Sequence, residues 1–287
     1  MILPGLIVHP VQIRVNGALV QGLFAPGTRG VDKFNALTNN KAMRRGAKAI
    51  ALIFLIGACP LGAQLLHAGQ AGEDVSALAR RAMVRDQLES RDIQDKRVLT
   101  AMGRVPRHLF VPPDSRADAY GDYPLPIGEG QTISQPYIVA LMTQCLELKG
   151  GETVLEVGTG SGYQAAVLSL LAARVFTVEI NARLADDARS LLKKLGYANV
   201  EVRSGDGFFG WPDQGPFDGI IVTCAARRTP QPLLDQLKEG GRLVIPVGET
   251  DAIQRLLRLR KVGGKIREEE ITLVRFVPML GEDKKKK

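Results

Sequence analysis

"VLEVGTGSGYQAA", residues 154–166, decides the fold. An apolar run, "TVLEVG" (153–158), ends in glycines at every second position, Gly158, Gly160 and Gly162, and a helix is expected from there to about Ala173. Glycine has no Cβ, so such a loop turns sharply and lets a ligand approach the backbone. The same alternation continues downstream. "RVFTVEI" (174–180) reads as a strand, "NARLADDARSLLKKLG" as a helix and "VEVRSGDG" as a strand and loop. "FDGIIVTCAA" (217–226) is a fourth strand, with a short helix around Pro232–Leu237, and "GRLVIPVG" (241–248) a fifth. Short apolar strands alternating with amphipathic helices predict an α/β fold, a mostly parallel, doubly wound sheet covered on both faces. The closing stretch "IQRLLRLRKVGGKIREEEITLVRFVPML" reads as two strands joined at Gly263–Gly264.

Upstream of the alternation, residues 73–105 place apolar side chains at mostly helical spacings. Two amphipathic helices broken near Ser90–Asp92 are expected. The proline- and glycine-rich stretch up to "GEGQTISQP" (128–136) reads as a long ordered loop, and a helix from about Pro136 to Leu148 follows.

With 287 residues, 45% hydrophobic and 24% charged, the chain can bury a sizeable core. The net charge of +8 sits at its ends. Residues 1–72 hold seven Lys and Arg against one acid, the tail "EDKKKK" holds four lysines against two acids, and residues 73–281 balance. A polyanion-binding core is therefore not expected. Cys59, Cys145 and Cys224 show no metal-ligand or disulfide spacing; no metal site is expected, and packed thiols are.

The expected organisation is an N-terminal extension (1–72), a catalytic domain (73–281) and a Lys-rich tail (282–287). Within the extension, residues 43–68, "MRRGAKAIALIFLIGACPLGAQLLHA", have the basic start, short apolar run and small residues of a secretory signal. Since signals begin at an N-terminus, the expectation is that residues 1–42 stem from an overcalled start codon ahead of Met43.

Glu179 ends the second strand, where a carboxylate could accept hydrogen bonds from both hydroxyls of a ribose; glycine loop, strand, then acid is a nucleoside-binding order. A dinucleotide fingerprint would need a glycine at Tyr163. GxGxG preceded by Glu156 instead resembles the S-adenosylmethionine-dependent methyltransferases, which also use the loop after the third strand, here Asp206 in "SGDG", to meet adenine. That resemblance implies a Rossmann-like methyltransferase fold with an N-terminal helical segment.

Ser134 could be a nucleophile, a polar clamp or a turn serine. A serine nucleophile needs an activating histidine. His9 and His67 lie in the extension, His108 is flanked by apolar residues, and no GxSxG surrounds Ser134. Methyl transfer asks less: a carboxylate ionised at neutral pH needs alignment and exclusion of water, not a base.

"VPRHLFVP", "GQTISQP", "VLEVGTGSGYQAA", "GDG", "FDGIIVTCAA", "GGRLVIPVG" and "VRFVPM" stand in the order seen in protein-L-isoaspartate (D-aspartate) O-methyltransferases, a resemblance covering about residues 75–280. It implies methylation of the free carboxylate of L-isoaspartyl and D-aspartyl residues in damaged proteins, followed by succinimide formation. It implies an active-site role for Ser134, with Thr132 and Ile133 completing the "TIS" turn. It assigns the cofactor positions to Gly158, Thr159, Gly160, Gly162, Glu179, Asp206 and Gly207. Val274 to Pro278 would border the peptide cleft, with Val277 and Pro278 as substrate-binding residues. Isoaspartate-containing proteins are the expected partners, without nucleic acid or a stable membrane partner. The cytoplasm is the expected location, with export through 43–68 as the alternative. Rival readings are a nucleic-acid methyltransferase, which would want an [N/D]PP[Y/F] turn where this chain has "TCAA", and a non-catalytic binding module, which would have shed the glycines or Glu179.

Overall fold

In the strand Thr153–Val157 (β5), Val154 packs into one apolar cluster while Leu155 and Val157 pack into another. Opposite-facing neighbours are what a strand buried on both faces requires. The computed structural model describes residues 10–15, 18–23, 75–249 and 252–281. The chain divides into two units, Met1–Leu66 and His67–Lys287. In the first, β1 (Pro10–Val15) and β2 (Ala18–Leu23) pair as an antiparallel hairpin, in a region where the sequence shows no clear periodicity. The signal-like segment 43–68 and the tail 282–287 lie outside the described residues.

The second unit is built on β5, β6 (Arg174–Glu179), β7 (Val200–Ser204), β8 (Phe217–Val222), β9 (Leu237–Val247), β10 (Gln254–Val262) and β11 (Lys265–Val274). They form one seven-stranded sheet in the order β11-β10-β9-β8-β5-β6-β7. The pairings from β7 across to β9 are parallel, and β10 and β11 add antiparallel at the other end. Gly263 and Gly264, at φ 60° and 74°, make the tight turn between them. The chain runs from β5 outward to β6 and β7, then returns to β8 on the other side of β5. Ligands of such sheets bind at this reversal, outside the carboxyl ends of the strands.

Helical residues feed mostly one cluster. A helix over residues 75–83 (α1) runs on as a π-helical stretch, Val84–Glu89. It ends where the break was expected, and the Asp95 side chain caps α2 (Lys96–Arg104) by accepting from Arg97 N–H. The remaining helices are α3 (Pro136–Cys145), α4 (Tyr163–Ser169), α5 (Ala182–Lys194) and α6 (Gln231–Asp235). Buried residues of α1 to α5 join Val154, Val175, Ile221 and Val244 in one cluster; Trp211, Phe217 and Leu233 of α6 join the other. Among the described residues no helix is long and apolar enough to cross a membrane.

The stretch read as a long loop holds more order than expected. Short 3-10 turns occupy Arg107–Phe110 and Pro113–Asp118, and β3 (Leu125–Gly128) pairs with β4 (Gln131–Ile133). Arg107 anchors it from inside: fully buried, its Nε donates to Ala119 O at 2.7 Å and its guanidinium lies 4.9 Å from the Tyr163 ring centre. Desolvation lowers its pKa from the ordinary value. His108 is tied through Nδ1 to the Tyr120 hydroxyl at 2.7 Å.

Candidate functional site

The glycine loop after β5 is shaped by its neighbours. Gly158 has φ 97°, and a Cβ there would sit 2.4 Å from Thr223 Oγ1. That hydroxyl donates to Gly158 O at 2.6 Å, so the exit of β8 grips the exit of β5. Gly160 N–H donates to Glu179 Oε2 at 2.9 Å and Asn181 N–H to Oε1 at 3.0 Å, fixing the carboxylate at the end of β6. A carboxylate has about four lone-pair sites, so Glu179 keeps capacity for further donors. Thr159 is buried, its Oγ1 2.6 Å from Thr177 Oγ1.

A cleft opens here, lined by Gly158, Thr159, Gly160, Glu179 and Gly207 of the expected cofactor residues, and also by Glu156, Cys224, Met279 and Leu280. Gly162 and Asp206 are not among its lining residues. The bare Cα of Gly162 serves packing instead: a Cβ would press to 3.1 Å from Leu192 of α5. The Asp206 carboxylate accepts from Phe208 N–H at 3.0 Å and lies against Gly281.

Glu156 is fully buried, lines the cleft, and neither oxygen has a hydrogen-bond partner. Burial pushes its carboxyl up to about 8; the Glu179 charge adds to this, and the Thr177 hydroxyl, engaged with Thr159, offsets it only in part. A buried acid without a donor is costly unless a cation or donor comes to it.

The hairpin β3–β4 roofs one side. Its turn, Glu129–Gly130, has both residues at positive φ, 52° and 69°. The Glu129 side chain reaches the start of α5, accepting from Arg183 Nη1 at 3.1 Å and Asn181 Nδ2 at 3.3 Å. The chain then enters the "TIS" turn. Thr132 is exposed, Ile133 is buried in the core, and Ser134 is half-buried.

A second, open groove lies beside the cleft, lined by Ile138, Ile253 and the whole of Val274 to Pro278. Thr132, Ser134, Thr223, Val277 and Pro278 line both spaces. The last two are strapped there: Ala225 N–H donates to Val277 O and Met279 N–H to Ala225 O, each at 2.8 Å. Among the described residues Ser134 Oγ has no hydrogen-bond partner, and the one described histidine, His108, is committed to Tyr120. The arrangement therefore offers a free hydroxyl at the junction of two spaces and no base to make it a nucleophile. Cys145 is buried and its thiol is pushed up to about 11 by burial; Cys224 is half-buried on the cleft wall.

Glu129 and Thr223 were not singled out by sequence. Thr223 had one usable signal: it follows the strand on the far side of the reversal, where ligands meet the sheet. Glu129 had none.

The family model described as "Protein-L-isoaspartate(D-aspartate) O-methyltransferase" matches residues 79–284. Protein-L-isoaspartate O-methyltransferase 2 of Shewanella sediminis is 59% identical over 203 residues, 71% of this chain and 83% of that protein. The protein-L-isoaspartate O-methyltransferase of Opitutus terrae is 50% identical over 240 residues, 84% of this chain and 99% of that one. A solved protein-L-isoaspartate O-methyltransferase superposes with a TM-score of 0.64 at 30% identity, covering 70% of this chain and 66% of its own. A Plasmodium falciparum structure with that designation, in complex with S-adenosyl-L-homocysteine, gives a TM-score of 0.61 at 27% identity, covering 70% of this chain and 98% of its own.

Proposed function

Because the chain belongs to the protein-L-isoaspartate(D-aspartate) O-methyltransferase family, we propose that it methylates the free carboxylate of L-isoaspartyl and D-aspartyl residues in damaged proteins and peptides, with S-adenosylmethionine as donor. The observation that carries this is the wall shared by cleft and groove, with the Ser134 hydroxyl on it. A donor in one space and a peptide in the other meet there and nowhere else along the two linings.

The residues fit the donor. Gly158 and Gly207 let the backbone pack closely around the cleft they line, since a Cβ on either would collide with the protein itself, 2.4 Å from Thr223 Oγ1 and from Val157 Cγ1 respectively. The partnerless Glu156 carboxylate suits the ammonium of the donor's amino-acid end, and Glu179 suits the ribose hydroxyls. Gly160, Thr159 and Gly207 line the space between, and Asp206 stands behind Gly207 at the adenine end. When bound, S-adenosylmethionine supplies a methyl group on a sulfonium, a leaving group that needs no protonation.

The protein's part is alignment. Ser134 Oγ and Thr132 donate to the acceptor carboxylate and turn one oxygen toward the methyl group, while Ile133 anchors the turn in the core. Val277 and Pro278 hold the peptide against the wall. The acceptor is already ionised at neutral pH, so no general base is required. The β3–β4 hairpin, which lines the cleft through Glu129, Thr132 and Ile133, shields the wall from water, which would otherwise solvate the carboxylate and blunt it. On the released ester, the following backbone nitrogen attacks the carbonyl, methanol leaves, and a succinimide forms.

Residues 73–281 constitute the catalytic domain in this reading, and the cytoplasm, where the donor is made, is its place of action. Residues 73–281 carry no net charge, which disfavours nucleic acid as substrate. The test is transfer of labelled methyl to two synthetic peptides identical except for Asp and L-isoAsp. Base-labile labelling of the isoAsp peptide alone is expected; equal labelling of both would overturn the damage-specific reading.

A further inference from the structure

Inside the groove, the lining is apolar or neutral except at one point. Ile253 and Leu273, 61% and 60% exposed, are large apolar side chains left open to solvent beside Phe276 and Ile138. Arg275 is exposed, is the one charged residue among those that line the groove, and has no hydrogen bond or ion pair among the described residues. The acids nearest in sequence are already engaged. Glu268 and Glu270 pair with Arg255, and Glu269 pairs with Arg258, across the β10–β11 ladder. Among the described residues, a single cation without a partner over apolar walls sets the sign of the local potential.

We propose that Arg275 is a specificity-determining residue: it selects damaged peptides that carry an acidic side chain next to the isoaspartate, with an apolar neighbour on the Ile253–Leu273 surface. This rests on the methyl-transfer reading of the same site. The pair forms with the peptide before transfer and persists through it, so the preference acts on KM and leaves kcat little changed. Because Arg275 is exposed, the preference weakens as salt screens it.

The experiment uses the full chain and three isoAsp peptides that differ at one flanking position, Glu, Gln or Lys, with each side of the isoaspartate scanned in turn. Initial rates are measured at low and high salt for the wild type, Arg275→Gln and Arg275→Glu. At one flanking position the wild type is expected to prefer Glu to Lys by about fivefold in kcat/KM, the upper range for an exposed pair, mainly through KM and less at high salt. Arg275→Gln removes the preference and Arg275→Glu reverses it. Labelling of the Gln peptide with no Glu-over-Lys preference at either position, or a preference that Arg275→Glu leaves in place, overturns this proposal alone. Failure to label any isoAsp peptide overturns the methyl-transfer reading, and this proposal with it.

Discussion

At the scale of single residues, Glu156 and Ser134 make opposite demands. Glu156 is a buried acid whose pKa stands at about 8 against an ordinary 4.5. The folded, ligand-free protein thus holds a proton that the unfolded chain releases earlier. Its contribution favours the fold below about 4.5 and is lost as pH rises toward 8. Melting curves at pH 6 and pH 8.5 should therefore show a lower Tm at the higher pH, and Glu156→Gln should remove most of that difference while weakening donor binding. An equal Tm difference in the variant would mean that other groups govern it. Ser134 makes no such contribution. Ser134→Ala leaves the core untouched and is expected to lower kcat by about 100-fold, the typical cost of a misplaced reactant, with much smaller change in donor affinity. Single-turnover rates beside equilibrium titration of S-adenosylhomocysteine separate the two.

At the scale of elements, β5, β6, β8 and the apolar part of β9 could be read in the sequence because each is a mostly apolar run buried on both faces, and the edge strand β7, VEVRS, because it alternates valine with polar residues. The β3–β4 hairpin could not. Its strands are four and three residues long, Pro126 interrupts the first, and the turn places Glu129 where asparagine or aspartate would be the usual signal. Early pairing at Leu237, ahead of the glycines at 240 and 241, similarly extended β9 beyond its apolar stretch. Of the cleft, Gly158, Gly160 and Glu179 were legible from their spacing along consecutive elements. Thr223 was not, since a threonine acquires its role only from the strand that lies beside it. The hairpin also yields a prediction. Glu129→Gly relieves the left-handed strain at φ 52° and removes both contacts to α5. Since the Arg183 pair is largely exposed, S-adenosylhomocysteine should dissociate up to about fivefold faster, with Tm nearly unchanged. Stopped-flow displacement measures it.

At the scale of the whole molecule, the described residues that line the site run from Pro124 to Leu280. A fragment of residues 73–287 should therefore methylate an isoAsp peptide with kcat/KM within about twofold of the full chain; loss of activity on a folded fragment, judged by circular dichroism, would reassign a role to residues 1–72. The strap at Val277–Met279 has a further consequence for how the protein comes into being. The central strands and the glycine loop precede it in the chain, yet both spaces lack a wall until it docks on Ala225. A ribosome must release residues as far as Leu280 before a nascent polypeptide can bring donor and acceptor together. Translation thus delivers the sheet before its chemistry, so that copies cut short ahead of the strap, however well folded, stay silent.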